Sequence, residues 1–190
     1  MILPIYVYGE PVLRKVSEEI EADYEGLEGL INDMYETMYQ SDGVGLAAPQ
    51  VGKSLRLFVI DTTALADKNP ELKGFKKVFI NPEILEESGD EWTFNEGCLS
   101  VPAIREDIAR KSKIRISYYD ENFNYFEEDY DGIKARVMQH EYDHLEGILF
   151  PDRLSPFKKR LLKNKLAGIA KGLFEVNYKV KPPLKQKVKL

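Results

Sequence analysis

Residues 139–150 read QHEYDHLEGILF and hold both histidines of the chain, His140 and His144. Positions four apart on an α-helix lie one turn above each other, so both imidazoles project from one side and can reach one ion. Glu141 lies about 100° around the helix from His140, where it can contact a water on that ion and act as a general base. The pattern predicts a helix that carries the metal-binding motif of hydrolases.

The HExxH motif is short, and the alternative is an exposed amphipathic helix that happens to contain two histidines. Both histidines of the chain lie within the motif, which favours the metal site. Asp143 stands three positions after His140 and is expected to orient a ligand histidine from behind.

A catalytic metal site usually has three protein ligands and one open position, so a third ligand is needed. One group of metalloproteases supplies it from HExxHxxGxxH, and this chain follows that pattern as far as Gly147. Phe150 then stands where the third histidine belongs, and a phenyl ring cannot bind an ion. A second group uses a later glutamate, but Glu146 is too close to turn back and Glu175 lies in a basic tail. The sequence therefore gives little support to a protease.

Cys98, the only cysteine, is the other candidate for the third ligand. A lone cysteine is often a small buried apolar residue, but a metal would hold its sulfur as the thiolate. Its neighbours in residues 96–102 (EGCLSVP) weaken the packing explanation. One cysteine, two histidines and a water form an open four-coordinate site, so Cys98 is the provisional third ligand.

Composition indicates a soluble globular protein, since 43% of its 190 residues are hydrophobic and 31% are charged. The length suggests one domain with a substantial core. The sequence has no apolar run near the ~20 residues of a membrane helix, and its first residues do not resemble a targeting signal. A single cysteine cannot form an internal disulfide. We therefore expect a cytoplasmic protein with neither a membrane nor DNA as a partner.

Charge is distributed unevenly along the chain. After Phe157 there are eleven basic residues and one acidic residue, so this segment has a net charge of +10. The rest of the chain then has a net charge of −15, which gives −5 for the whole chain. An acidic body with a basic C-terminal segment indicates that the segment is a candidate binding region for an acidic partner.

Periodicity predicts a helix over residues 24–40, a buried strand over 55–61 and a polar surface loop over 62–77. Residues 78–84 form another predicted strand, and 113–119 are expected to pair with 124–130. Asp131 is the expected N-cap of the motif helix, which ends near Gly147. Ser155-Pro156 opens a last helix.

These elements predict an α+β domain over residues 1–172, followed by a basic C-terminal tail over 173–190. We expect small mixed or antiparallel β-sheets packed around the central HExxH helix, with one N-terminal and one C-terminal helix.

Three motifs in order resemble those of the peptide deformylase family. They are residues 43–50 (GVGLAAPQ), 96–100 (EGCLS) and 140–144 (HEYDH). Each is modest alone, and GVGLAAPQ by itself could be a tight turn before a strand; together, at this spacing, they are highly specific. The resemblance extends over roughly residues 5 to 165.

The resemblance implies a cytoplasmic hydrolase that removes the formyl group from the N-terminal formylmethionine of newly synthesised proteins and releases formate. A metal-bound water would attack the formyl carbon. The ion would be one divalent metal per chain, with Fe²⁺ native and Zn²⁺, Ni²⁺ or Co²⁺ able to occupy the site. Histidine and cysteine ligands suit zinc and iron alike, and the order of affinities alone favours zinc.

Site residues follow from the same motifs. The resemblance implies that Cys98, His140 and His144 bind the metal, that Glu141 moves the proton, and that Gln50 and the backbone N–H of Leu99 stabilise the oxyanion. It also implies that Gly45 and Arg105 hold the peptide.

The methionine pocket should be apolar, and the candidates for its lining are Val44, Ile133 and Val137. Core packing explains these three residues equally well. Arg136 departs from the apolar residue that many family members have at this position, which leaves the shape of the pocket open.

Substrates would be N-formylmethionyl peptides and nascent chains. The basic segment over residues 158–171 is suited to docking on ribosomal RNA, although a solvated lysine face explains it as well. Two other classes stay open: a metalloprotease, and a non-catalytic ribosome-binding or metal-binding protein with the same fold.

Overall fold

The computed structural model describes residues 1–181. Five antiparallel strands form one sheet in which chain neighbours are also sheet neighbours, in the order β1-β2-β3-β4-β5. The strands are β1 Gly45–Ala47, β2 Leu57–Asp61, β3 Lys76–Cys98, β4 Val101–Tyr119 and β5 Tyr125–Asp131. Three helices accompany the sheet, α1 Leu27–Gln40, α2 Gly132–Leu145 and α3 Pro156–Ala170. The predicted α+β class is confirmed.

Both faces of β2 are buried, which explains its continuous apolar run. Alternate side chains point to opposite faces of a strand. Leu57 and Val59 pack in the same cluster as residues of α1. Phe58 and Ile60 pack in the cluster that contains Met138 of α2. The sheet therefore separates α1 from the motif helix α2, of whose 14 residues nine are buried.

β3 and β4 are much longer than the predicted strands over 78–84 and 113–119. The expected break at Asn81-Pro82 is a shift of strand register within β3 and does not end the strand. Asn81 has a φ of 48°, and its side-chain amide exchanges two 2.8 Å hydrogen bonds with the backbone of Ile20. This irregularity fixes the segment before α1 against the sheet.

Helix ends agree with the predictions in part. Ser155 caps α3 by accepting a hydrogen bond from Lys158 N at 3.3 Å, as predicted. Asp131 occupies the N-cap position of α2, but its side chain makes no capping bond within residues 1–181. α1 begins at Leu27 because Gly26 adopts a left-handed conformation (φ 81°).

Residues 62–77 contain more structure than the predicted surface loop. Two short 3₁₀ turns, Thr63–Leu65 and Pro70–Leu72, lie within it. Leu72 is buried, and its carbonyl accepts a 2.8 Å hydrogen bond from the buried Thr62 hydroxyl. Leu72 thus anchors a segment whose other side chains are mostly polar.

No helix within residues 1–181 has both the length and the apolar character needed to cross a bilayer. The first nine residues of the predicted tail, 173–181, run along the body of the protein, where Val180 forms a parallel bridge with Ile5. The prediction for residues 182–190, including their basic charge, lies outside the described residues.

Candidate metal centre and active site

Three side chains from two elements meet at one point. Cys98 is the last residue of β3, and His140 and His144 lie one turn apart on α2. One potential ligand atom from each residue lies within 4.8 Å of the others. The Cys98 sulfur is 3.4 Å from Nε2 of His144. The structure therefore brings together the three residues predicted to be ligands.

The donor set fits a transition-metal ion. Metal–sulfur and metal–nitrogen bonds of about 2.3 and 2.1 Å in a tetrahedron separate the two donor atoms by about 3.6 Å, close to the observed 3.4 Å between Cys98 and His144. An imidazole must be neutral to bind a cation. Burial and the neighbouring His140 hold the pKa of His144 well below its usual range, which favours the neutral form of this ring. Burial also opposes charge on His140, but hydrogen bonds with Cys98 and Glu96 raise its pKa above the usual range, so an ion that binds there displaces a proton.

Glu96 orients His140. Its Oε1 lies 2.8 Å from Nδ1 of His140, which leaves Nε2 free for an ion. Burial would raise the pKa of Glu96, but hydrogen bonds with His140 and Arg110 hold it well below its usual range. The prediction that Asp143 orients a ligand histidine is wrong. Glu96 does so because residues two apart on a strand face the same side, which puts it next to Cys98.

Asp143 instead belongs to a buried ionic network behind the centre. Arg110 donates to Glu96 with two hydrogen bonds of 2.8 and 2.9 Å and to Asp143 at 2.8 Å. Arg153 also binds Asp143, with two bonds of 2.6 Å. Arg110 is therefore one of the links between the strand that carries Cys98 and the helix that carries both histidines.

Arg136 belongs to the same ionic network. Its guanidinium donates to Glu96 at 2.9 Å and to the carbonyls of Ile108 and Trp92 at 2.9 and 2.7 Å. It also lies 4.6 Å from the centroid of the Trp92 ring. Arg136, which replaces the apolar residue of many family members, thus lies in the cavity wall as a cation paired with Glu96.

Glu141 lies beside the ligand cluster, and its side chain is buried. Burial raises its pKa to about 7, and its Oε2 has no hydrogen-bond partner within residues 1–181. A methyl group added to Gly45 would lie 2.5 Å from Oε1 of Glu141. Glycine at position 45 is therefore what allows β1 to approach the carboxylate so closely.

Gln50 and Leu99 also lie at the cluster. The Gln50 amide is held by Ala47 N, which donates to Oε1 at 2.9 Å. Its Nε2 lies 3.5 Å from the Cys98 sulfur and 3.2 Å from the Ser100 hydroxyl. Leu99 lies in the tight turn between β3 and β4, and within residues 1–181 its N–H makes no hydrogen bond. Both groups are available as donors to a developing negative charge.

A cavity of about 940 Å³ opens onto the cluster. Every residue predicted to hold substrate contributes to its wall: Val44, Gly45, Arg105, Ile133 and Val137. Arg105 is held by Asn95, which accepts at 2.9 Å through its side chain. Gly97 allows this arrangement, because a side chain there would collide with the guanidinium of Arg105.

Phe150 explains the end of the protease-like pattern. Its buried ring stacks on His140 with the two ring centroids 6.2 Å apart. It therefore packs against His140 and supplies no third donor. Glu175 lines the cavity despite its place in the tail, but it is not part of the ligand cluster.

Sequence reasoning missed the roles of Arg110 and Tyr178. Tyr178 lines the cavity, and its hydroxyl donates to the Leu99 carbonyl at 2.8 Å. Neither residue lies in a motif, and both reach the site through contacts between distant parts of the chain. Glu96 had a usable signal, since it lies within EGCLS two positions before Cys98.

Comparison with known proteins agrees with this geometry. The profile of the polypeptide deformylase family matches residues 2–160. The chain is 54% identical over 196 aligned positions to the peptide deformylase of Christiangramia forsetii, with 100% of both chains covered.

Two solved structures share the fold. The peptide deformylase of Legionella pneumophila has a TM-score of 0.77 at 42% identity, covering 89% of this chain and 95% of its own. That of Thermus thermophilus has a TM-score of 0.77 at 40% identity, covering 87% and 94%. Sequence and structure thus agree over nearly the whole length of these relatives, and the chain belongs to the polypeptide deformylase family.

Proposed function

We propose that this protein hydrolyses the N-formyl group of N-terminal formylmethionine in newly synthesised polypeptides and releases formate. The observation that carries the proposal is the meeting of the Cys98–His140–His144 cluster with Glu141 at one substrate-sized cavity. Membership of the deformylase family supports this reaction over other metal-dependent hydrolyses.

Cys98, His140 and His144 would hold one divalent ion. Such an ion lowers the pKa of a bound water from 15.7 towards about 7 and polarises a carbonyl oxygen, which provides the nucleophile that an unreactive formamide requires. We propose Fe²⁺ as the native ion and Zn²⁺, Ni²⁺ or Co²⁺ as ions that can occupy the same donors.

Glu141 would carry the proton. Its carboxylate takes a proton as water adds to the formyl carbon and delivers it to the departing amine. The burial that raises its pKa to about 7 suits both steps, because a group with a pKa near the working pH accepts and releases protons readily. Its unpartnered Oε2 leaves one oxygen available for this work.

Gln50 and the Leu99 N–H would stabilise the tetrahedral oxyanion. Both are fixed before substrate arrives, Gln50 by its bond from Ala47 N and Leu99 by its tight turn. Preorganised donors do not have to be reordered when charge develops, and losing one typically costs about 2.7–4 kcal/mol of transition-state stabilisation.

The methionine side chain would enter the apolar part of the cavity lined by Val44, Ile133 and Val137. Gly45 leaves room for the peptide backbone beside β1. Arg105, at the exposed side of the cavity, would contact the residues that follow the methionine.

We place the enzyme in the cytoplasm, where formylated nascent chains are made, and propose that α3 docks on the ribosome. The support is an exposed surface on α3 that combines positive charge with apolar side chains. Its exposed members are Phe157, Lys159, Arg160, Leu161 and Lys163.

Co-sedimentation with ribosomes at rising salt tests the docking of α3, because phosphate contacts weaken steeply with salt. Salt-independent sedimentation, or no loss with K159E/R160E/K163E, would overturn it.

The reaction is tested by formate release from formyl-Met-Ala-Ser. The acetyl-Met and unformylated peptides serve as controls, on protein loaded anaerobically with Fe²⁺ or with Zn²⁺. We expect formate from the formyl substrate only, with the Fe²⁺ form faster. Cleavage of the unformylated peptide would identify a protease. No formate from either loaded form would leave a metal-binding protein without deformylase activity.

A further inference from the structure

The chain beyond α3 forms an extended segment, residues 173–181, here termed the C-terminal strap. Gly172 (φ 80°) turns the chain after α3, and Leu173 N donates to Gly168 O at 2.9 Å. Side chains along the strap alternate between exposed and packed. Phe174, Tyr178 and Val180 pack against the core clusters, whereas Leu173 is 73% exposed. The strap is thus a strand-like segment with one half-buried face.

Backbone pairing with the N-terminal segment fixes the far end of the strap. Ile5 N donates to Lys179 O at 2.9 Å, and Lys181 N donates to Ile5 O at 3.0 Å. The Lys181 ammonium also binds Glu10 at 2.8 Å. With α3 at one end and Ile5 at the other, the intervening residues are held in place over the body.

Those intervening residues, 175–178, form part of the wall of the substrate cavity. Among these residues, Tyr178 contacts the candidate active site directly, because its hydroxyl donates to the Leu99 carbonyl at 2.8 Å. A tyrosine hydroxyl is protonated at neutral pH and is therefore a lasting donor. The family profile ends at residue 160, so the strap lies beyond the matched region.

The Leu99 carbonyl belongs to a turn whose geometry matters for the chemistry. Cys98 pairs with Val101 across this turn, so the turn carries a candidate ligand and the candidate oxyanion donor side by side. Two other contacts hold its second half. Tyr8 N donates to Ser100 O at 2.7 Å, and Gln50 Nε2 lies 3.2 Å from the Ser100 hydroxyl. The Tyr178 bond holds the Leu99–Ser100 peptide, which is joined through the Leu99 Cα to the Cys98–Leu99 peptide that carries the Leu99 N–H.

We infer that Tyr178 is a positioning residue for deformylation. By holding the Leu99 carbonyl it fixes the Leu99–Ser100 peptide and so restrains Leu99, which keeps the N–H of the adjoining Cys98–Leu99 peptide aimed at the oxyanion. The inference rests on the proposed function and extends the site to a residue outside the three motifs. Anchoring the Leu99 carbonyl to the half-buried Tyr178 hydroxyl restricts rotation about the backbone bonds of Leu99, and a donor that moves away from the oxyanion loses the benefit of preorganisation.

Tyr178→Phe tests the inference because it removes one hydroxyl and keeps the ring in the strap. Tyr24→Phe is the matched control, since Tyr24 does not line the cavity. Both variants and the wild type are assayed with formyl-Met-Ala and formyl-Met-Ala-Ser, together with metal content and thermal midpoint. We expect kcat of Tyr178→Phe to fall by about 3- to 30-fold, less than the 10²–10³-fold typical of removing an oxyanion donor outright. The fall should be equal for both peptides, with KM, metal content and thermal midpoint unchanged.

Three results would overturn the positioning role. An unchanged kcat would show that the bond to Leu99 has no kinetic consequence. A loss confined to KM of the longer peptide would make Tyr178 a simple wall residue. A parallel loss of metal or of thermal stability would assign the hydroxyl to the fold. Absence of formate from the wild type would instead overturn the proposed function, and this inference with it.

Discussion

Oε1 of Glu96 lies 2.8 Å from Nδ1 of His140, and this contact joins the strand that ends in Cys98 to the helix that carries both histidines. A carboxylate on the second ring nitrogen fixes the tautomer and raises the basicity of the nitrogen that faces the ion. Glu96 is ionised, because hydrogen bonds with His140 and Arg110 hold its pKa low despite its burial.

Glu96→Gln should therefore weaken metal binding by about 10- to 100-fold, the range for loss of a carboxylate behind a ligand histidine. Metal affinity is measured by competition with a chromogenic chelator. Glu91→Gln is the matched control, because Glu91 lies on the same strand and is exposed. Equal affinities of wild type and Glu96→Gln would show that Glu96 does not tune the centre.

Arg110→Met should destabilise the fold by about 1–3 kcal/mol, because the buried carboxylates of Glu96 and Asp143 lose their shared donor but keep Arg136 and Arg153. Urea unfolding of the protein measures this. Arg115→Met on the same strand is the control. Arg115 pairs with two acidic residues at the surface, where ion pairs contribute little. If both variants unfold at the same urea concentration, the buried network does not hold β4 to α2.

Much of the fold was predictable where burial imposes a period on the sequence. The strand over 55–61 has a strong apolar pattern, and the motif helix is marked by its histidine spacing, Asp131 and Gly147. Both were found close to their true bounds. The long extension of β3 was not predictable. Residues 85–91 are rich in exposed acidic and polar side chains, so no apolar alternation marks them as a strand. Alternation is confined to the short stretch 91–95, where Trp92 and Phe94 are the apolar positions. Pairing with distant residues of β4 determines their structure instead.

The candidate site divides along the same line. Spacing alone indicates that His140 and His144 share a helix face. Phe150 in place of a third histidine, together with the EGCLS motif, indicates Cys98. The neighbours that hold these ligands come from other elements. Asp143 is near His140 in sequence, yet it faces Arg110 and Arg153. Sequence proximity favoured the wrong carboxylate, because contact across the sheet is not encoded in local periodicity.

Gly45→Ala tests the close approach of β1 to Glu141. The added methyl group would lie 2.5 Å from Oε1 and 2.9 Å from the carboxyl carbon of Glu141, so the buried carboxylate must move. A misplaced catalytic group can cost about 10²-fold in rate. We expect kcat/KM for formyl-Met-Ala-Ser to fall by about that factor, with metal content unchanged.

Gly29→Ala is the control for the same chemical change. Gly29 lies in α1, and a methyl group there meets nothing within 4 Å. Because alanine is favoured over glycine in a helix by about 0.8–1.0 kcal/mol, this variant should unfold at a higher temperature. Its kcat/KM for formyl-Met-Ala-Ser should be unchanged. A Gly45→Ala enzyme as active as Gly29→Ala would show that the site tolerates displacement of Glu141.

Glu141→Gln separates proton transfer from metal binding. The change keeps the size of the side chain and removes its ability to accept a proton, and Glu141 is not one of the three clustered ligands. General acid–base catalysis typically contributes about 10²–10⁴-fold, so kcat should fall by a factor in that range while metal content stays near one ion per chain. Metal analysis and formate release on the same sample measure both quantities.

Cys98→Ala should give the opposite pattern to Glu141→Gln in metal content. It removes the only sulfur atom of the cluster, so the ion should be lost on dialysis and activity lost with it. Added metal should restore part of the activity of Cys98→Ala and none of that of Glu141→Gln, because only the former lacks affinity for the ion. A Glu141→Gln enzyme that stays fully active, or a Cys98→Ala enzyme that keeps its ion, would assign these two roles to other residues. The two variants together thus distinguish the group that holds the ion from the group that moves the proton.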